Sequence, residues 1–191
     1  MKRILLFLVS SFAFSLLLAC EKEPFPLKQL GSPAAFTLTD TEGQPYNYEP
    51  TSGTVRLVFF GYTQCPDYCP ATMSKLQKVF EKLPFPAEER PEILFIFVDP
   101  ERDTPEVLSR YLEAFKIPAT GLTGDRKSLE EIARNFGTFF HIEKKGKDVI
   151  VDHSTYLYLI DPEGRIRYLF RSQDSADTIF EGVTALYAEM D

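Results

Sequence analysis

The chain has no excess of basic residues: 21 Lys and Arg stand against 28 Asp and Glu, for a net charge of −7 at pH 7. That balance argues against a nucleic-acid partner and against a polybasic membrane contact, and is compatible with basic partners. Histidine is scarce, with only His141 and His153, and cysteine is limited to Cys20, Cys65 and Cys69. Iron–sulfur clusters and closed structural zinc sites draw on about four side-chain ligands, so neither fits a chain with so few thiols and imidazoles. Internal repeats and low-complexity tracts are absent. The one long apolar run, Ile4 to Ala19, is 16 residues, short of the roughly 20 that span a bilayer comfortably.

That run follows Met1-Lys2-Arg3, and a short basic region before a short apolar one is a secretory signal. Its end, Leu17-Leu18-Ala19-Cys20, resembles the lipobox of bacterial lipoproteins, in which the cysteine is acylated and becomes the new N-terminus. An uncleaved anchor is the alternative, and both readings tether the remaining chain outside the cytoplasm. The expected organisation is a signal peptide at 1–19, a membrane-tether linker at 20–33 rich in charge and proline, and one domain at 34–191. Loss of Lys2 and Arg3 moves the net charge from −7 to −9. Three cysteines leave an exported protein with an odd thiol; lipidation of Cys20 resolves this and leaves Cys65 and Cys69 as a pair.

The pair lies in Gly61-Tyr62-Thr63-Gln64-Cys65-Pro66-Asp67-Tyr68-Cys69-Pro70. Before it, Val55 to Phe60 is β-branched and aromatic, a buried strand. After it, Met73, Leu76, Val79, Phe80 and Leu83 have the spacing of an amphipathic helix over Ala71 to Leu83. A strand thus feeds a helix N-terminus, which lowers thiol pKa and favours the thiolate. If the first helical turn has formed, the i, i+4 spacing puts both sulfurs on one face. In an oxidising compartment such a pair can form a disulfide, but so small a loop adds little by chain entropy. The pair is therefore chemical rather than structural.

Further along, Phe36 to Thr39 predicts a first strand, Pro45 to Thr51 an irregular return, and Ile93 to Val98 a central strand covered on both faces. Thr104 and Pro105 open a helix, Thr120 to Gly124 is a short strand or turn, and Asp125 or Ser128 opens a helix to Phe136. Thr138 to Glu143 is extended, Thr155–Ile160 and Arg165–Phe170 form a hairpin, and Ser175 to Met190 is the last helix. Parallel strands joined by right-handed crossovers, with an antiparallel edge, imply a three-layer α/β fold with a mixed central sheet flanked by helices. A cysteine motif after the first central strand makes it thioredoxin-like.

Two thiolates suit copper(I), zinc or iron–sulfur chemistry, and a third ligand has to come from elsewhere. Histidine is the natural supplement. His153, in Val151-Asp152-His153-Ser154, sits in a loop beside a strand end, where functional residues tend to lie. His141 alternates on a strand with Phe139 and Glu143 and is better explained as a surface residue. Asp99, Arg102 and Asp103 either frame the mouth of the site or form a salt-bridged loop that caps the next helix; the second reading is preferred. Lys144-Lys145-Gly146-Lys147 is the one basic cluster and is read as a solvated hairpin tip.

Several motifs in order resemble the SCO/SenC copper proteins: Gly61 to Pro70, Asp99-Pro100-Glu101-Arg102-Asp103-Thr104-Pro105, Gly121-Leu122-Thr123-Gly124, Val151-Asp152-His153-Ser154, and Tyr158 to Gly164. The resemblance runs from about Phe36 to Ala188. It implies a thioredoxin-like fold holding one copper ion, as Cu(I) or Cu(II), through Cys65, Cys69 and His153. It also places Asp67 beside the metal or facing a partner. Family members help assemble the dinuclear copper centre of cytochrome c oxidase, by delivering copper or by keeping the receiving cysteines reduced. The implied partners are the copper-site subunit of the oxidase and another copper chaperone or thiol reductant, with the domain anchored at the cytoplasmic membrane and facing the periplasm or cell exterior. Phe140 to Asp152 is shorter than the segment many relatives carry there, which bears on access to the metal. The alternative is a thiol–disulfide oxidoreductase using Cys65 and Cys69 as a redox pair. The three-residue gap departs from the two-residue thioredoxin pattern, and thiol exchange needs no histidine. A peroxidase would need one peroxidatic thiolate rather than a pair with a histidine.

Overall fold

The computed structural model describes residues 23–145 and 148–190; the expected signal peptide and Cys20 lie outside the described residues. Seven strands form one sheet in the order β2-β1-β5-β4-β3-β8-β9. They are β1 (Phe36–Asp40), β2 (Pro45–Tyr48), β3 (Arg56–Gly61), β4 (Glu92–Phe97), β5 (Ala119–Thr123), β8 (Leu157–Ile160) and β9 (Ile166–Phe170). The central β5-β4-β3 pairs are parallel, and the flanking pairs are antiparallel. Two further strands, β6 (Phe140–Lys145) and β7 (Asp148–His153), pair with each other as a separate ribbon.

The central strands are continuous apolar runs because both of their faces are covered. In β4, Ile93, Phe95 and Phe97 enter one core cluster while Leu94 and Ile96, followed by Val98 just past the strand, enter the other, the two-residue alternation of a pleated strand. The first face is covered by α1 (Tyr68–Lys82), α2 (Pro105–Glu113) and α4 (Ala176–Met190), through Met73, Leu76, Leu108, Leu112, Ile179 and Val183. The second face is covered by α3 (Arg126–Asn135), through Leu129 and Ile132, and by Val151 of the ribbon. Each such side chain, taken from water, contributes roughly 1.5–3 kcal/mol. This is the expected three-layer α/β fold with a mixed sheet.

Several segments differ from expectation. His153 ends strand β7 and does not sit in a loop, because Phe140 pairs with it across the ribbon. Pro45 to Tyr48 is a strand, not an irregular return: it closes on β1 through a turn in which the Asp40 carboxylate accepts the Glu42 and Gln44 N–H groups. Part of the segment read as a spacer is also held to the domain. Lys28 and Leu30 donate N–H bonds to Arg167 and Ile166 of β9, and Ile166 donates back to Gly31. The Phe25 ring packs edge-on at 4.7 Å from Tyr168. A segment with prolines and no period can still cover a sheet edge, because the edge strand supplies the hydrogen-bonding template.

Candidate metal centre

Three elements converge at the carboxyl end of β3. The strand ends at Gly61, and a turn follows in which the Cys65 N–H donates to the Tyr62 carbonyl at 3.2 Å. Helix α1 then starts at Tyr68, three residues earlier than the apolar spacing predicts. Pro70 is compatible with this because a proline in the first turn lacks an N–H that would have no intrahelical partner anyway. Cys69 therefore lies inside the first turn and Cys65 precedes the helix. The sulfurs meet because a turn folds back onto a helix start, not because both stand on one helical face.

Cys65 is 7% exposed and Cys69 2%, and both thiols are free. The third group arrives on the ribbon: His153 is the last residue of β7. The ligand atoms of Cys65, Cys69 and His153 all lie within 4.8 Å of one another, the sole such His, Cys and carboxylate cluster among the described residues. The His153 Nδ1 is 3.0 Å from the Ser154 carbonyl oxygen. A carbonyl can only accept, so Nδ1 carries the proton and Nε2 is left as the ligand nitrogen. The sequence could not have shown that the orienting partner is the neighbouring main chain.

The pair shares one proton unequally. Cys65 is pushed down to about 4, chiefly because the Cys69 thiol donates to it; burial opposes this, while the Cys69 and Asp67 backbone N–H groups assist. Cys69 is pushed up by that same donation, by burial and by the Cys65 charge. Cys65 is thus the thiolate and Cys69 the thiol. The α1 N-terminus acts here through its backbone N–H groups. Asp67 occupies the N-cap position without a side-chain cap and is exposed; its link to the site is its main chain.

Gly61 carries a requirement that its place in a motif does not reveal. A Cβ there would collide with Cys69 Sγ and come within 2.9 Å of the Phe95 ring, so the bare backbone makes room for the sulfur. Tyr62 stands edge-on to His153 at 5.7 Å between centroids, and its hydroxyl is pushed up by burial and then by the two cysteines. A narrow cleft beside Cys69 and His153 is bordered by Tyr68, Thr72, Thr155 and Tyr156. A groove of about 690 Å³ lies elsewhere, between Phe25 and α4, and holds none of these ligands.

Among the remaining residues, His141 is exposed, sits opposite Asp152 in the ribbon and does not join the cluster. The Asp99–Arg102 pair of the expected salt-bridged loop is formed, but no side chain caps the next helix, and Arg102 and Asp103 also reach the turn before Cys65. The Asp103 carboxylate accepts from Thr63, and Arg102 donates to Gln64. Lys144 is committed to Glu101 at 2.5 Å; Gly146 and Lys147 of the basic run lie outside the described residues.

Comparison with known proteins gives a consistent result. The SCO1/SenC family profile matches residues 28–188. The mitochondrial protein SCO2 of Saccharomyces cerevisiae is 37% identical over 155 residues, 78% of this chain, and this chain spans only 52% of that relative. Arabidopsis thaliana ScoI, solved with copper bound, superposes with a TM-score of 0.75 at 28% identity, covering 83% of this chain and 99% of that one. BsSco, described as a member of the Sco family of cytochrome c oxidase assembly proteins and as carrying a disulfide switch, superposes with a TM-score of 0.67 at 26% identity, covering 84% and 96%. With a profile match over most of its length and its motifs on one thioredoxin-like scaffold, the chain belongs to the SCO1/SenC family.

Proposed function

We propose that this protein is an extracytoplasmic copper metallochaperone that binds one copper ion, its cargo, through Cys65, Cys69 and the Nε2 of His153. The observation that carries this reading is the convergence of two free sulfurs and an imidazole within 4.8 Å. Thiolate and imidazole together suit copper(I) and also accept copper(II). Three ligands leave a position where a partner thiol can enter and take the metal. The receiving partner is the copper-site subunit of cytochrome c oxidase, in keeping with the assembly role described for BsSco. The copper-bound state of Arabidopsis ScoI supports copper over zinc. Another copper chaperone or a thiol reductant would load the site.

In the same reading residues 1–19 are a signal peptide, Cys20 is the lipidated residue, 20–33 is the tether and 34–191 is the copper domain. The protein is then held at the cytoplasmic membrane with its domain facing outward. Among the described residues no helix is long and apolar enough to cross a membrane; in this reading a lipid at Cys20 is the attachment. Asp67, exposed between the two cysteines, faces the partner.

A second reading, reduction of a partner's disulfide, is favoured by the proton arrangement: a Cys65 thiolate beside a Cys69 thiol is the starting state of a dithiol reductant. The thiolate would attack the partner disulfide, and Cys69 would then displace the second partner thiol, leaving a Cys65–Cys69 disulfide. The near-complete burial of both sulfurs and the third ligand speak for metal instead. The deciding experiment is an anaerobic copper(I) titration of the wild-type protein and of Cys65→Ala, Cys69→Ala and His153→Ala, run beside an insulin reductase assay. Tight 1:1 binding that weakens in all three variants, with slow reduction, is expected. Unchanged affinity in His153→Ala together with rapid reduction by the dithiol would move the assignment to the reductase.

A further inference from the structure

We propose that the loop after β4, residues 99–103, is the positioning frame of the metal centre, with Asp103 and Arg102 fixing the turn that presents Cys65. The inference rests on the metal-binding reading above. The turn is closed by the Cys65 N–H on the Tyr62 carbonyl, so Thr63 and Gln64 are its two central residues. Both are held from the same loop. Asp103, 1% exposed, accepts the Thr63 hydroxyl at 2.5 Å and the Thr63 N–H at 3.2 Å. Arg102 donates through Nη1 to the Gln64 side-chain oxygen at 3.0 Å. Its Nε is tied to Asp99, itself 2% exposed, and its guanidinium lies 5.9 Å from the Tyr62 ring centre. Tyr62 in turn stands against His153.

The direction of the Asp103 side chain argues against a merely local role. Asp103 stands just before Thr104, the N-cap residue of α2, close enough to the helix start for its charge to favour the helix dipole. Its carboxylate nonetheless turns to a residue 40 positions earlier in the chain. A buried carboxylate is costly unless its acceptor sites are filled, so the Thr63 N–H and O–H are obligatory partners, and they lock the turn in one conformation. The loop also reaches the other half of the centre. Glu101 pairs with Lys144 of β6, the strand hydrogen-bonded to β7, which ends in His153. One five-residue segment thus touches the cysteine turn directly and the histidine ribbon through its neighbouring strand. Metal ligands held by such outer partners typically lose about 10–100-fold in affinity when the partner is removed.

The test uses the full exported chain in Thr63→Val, Thr63→Ser and Arg102→Lys. Thr63→Val keeps the size and the backbone N–H but deletes the hydroxyl; Thr63→Ser keeps the hydroxyl. Copper(I) affinity, the sulfur-to-copper(II) absorption band and capture of phenylarsine oxide, which bridges two close thiols without copper, are measured beside the unfolding midpoint. Thr63→Val is expected to lose about 10–100-fold in copper affinity, to shift the absorption band and to weaken arsenical capture, while Thr63→Ser restores all three. Arg102→Lys should give the same changes at smaller amplitude, and it decides the matter if Thr63→Val does not fold. A lowered unfolding midpoint with wild-type affinity, band and arsenical capture would make the loop a structural brace only and overturn the proposal. If the wild-type protein does not bind copper, the metal reading fails. Arsenical capture then still tests the frame, and unchanged capture in Thr63→Val and Arg102→Lys overturns it.

Discussion

Cys65 and Cys69 grow out of the central sheet, whereas His153 ends a ribbon whose strands pair only with each other. On the cysteine side, β3 is buried along its length, Gly61 and Phe95 leave a fitted space for Cys69, and Asp103 holds the turn before Cys65. On the histidine side, the ribbon offers Val151 to the second core, with Phe140, Ile142 and Val149 partly buried, and leaves Ile150 48% exposed. The cysteine half is therefore a product of the hydrophobic core, and changes to it should alter stability and metal binding together. The histidine half is a side chain delivered to that core from outside, and its metal contribution should separate from stability.

The largest expected effect tests the first half of that contrast. Gly61→Ala places a methyl against Cys69 Sγ and the Phe95 ring. Overpacking of this kind costs about 1–3 kcal/mol, and the sulfur is among the atoms that must move. Chemical denaturation and copper(I) titration should therefore both show a loss. His153→Ala, by contrast, removes a partly exposed side chain and should change stability by about 0.5 kcal/mol or less while weakening copper binding. A Gly61→Ala protein with wild-type copper affinity, or a His153→Ala protein that unfolds easily, would break the distinction.

The cysteine half also predicts a proton behaviour that the histidine half does not. A Cys65 pKa held below the ordinary thiol range stabilises the fold fully at pH values above that range. The contribution shrinks as pH falls and is gone below the depressed value. Cys69 runs the other way: its raised pKa makes alkaline pH destabilising once an unfolded thiol would ionise. Ultraviolet thiolate absorbance of the metal-free protein should therefore report one thiolate, neither none nor two, at neutral pH. In Cys69→Ala the main lowering partner is gone, and the Cys65 titration should move back up toward the ordinary thiol range. Two thiols titrating together in the ordinary range would show that the sulfurs do not share a proton.

The same division decides what the sequence made legible. β3, β4, α2, α3 and the last helix announce themselves by period and capping residues, because their burial is set by local repeats of two or about 3.6 residues. That Cys65, Cys69 and His153 would converge could be anticipated because few residue types bind soft metals and this chain has few of them. The start of α1 was displaced by Pro70, which reads as a breaker unless the first turn is known to tolerate it. Strand β2 was hidden by Pro45 and by its length of only four residues. The Thr63–Asp103 contact, the Gly61–Cys69 fit and the docking of Phe25 to Gly31 on β9 each join residues far apart in sequence. No periodicity reports such pairs; only the packed sheet brings them together.

The smallest expected effect probes how the ribbon is tied down. Lys144 and Glu101 meet at 2.5 Å, but their side chains are 60% and 52% exposed, and a pair so open to solvent contributes little to stability. Lys144→Gln should barely move the unfolding midpoint, and raising salt should erase what difference there is, since exposed pairs are screened. The consequence for the centre is directional: with the tie cut, only the histidine contribution can loosen. Copper(I) affinity should then fall toward, and not beyond, the value of His153→Ala, and Lys144→Gln combined with His153→Ala should bind no more weakly than His153→Ala alone. A double variant appreciably weaker than His153→Ala would mean that the ribbon supports the cysteines as well, and that the two halves are less separate than their topology implies.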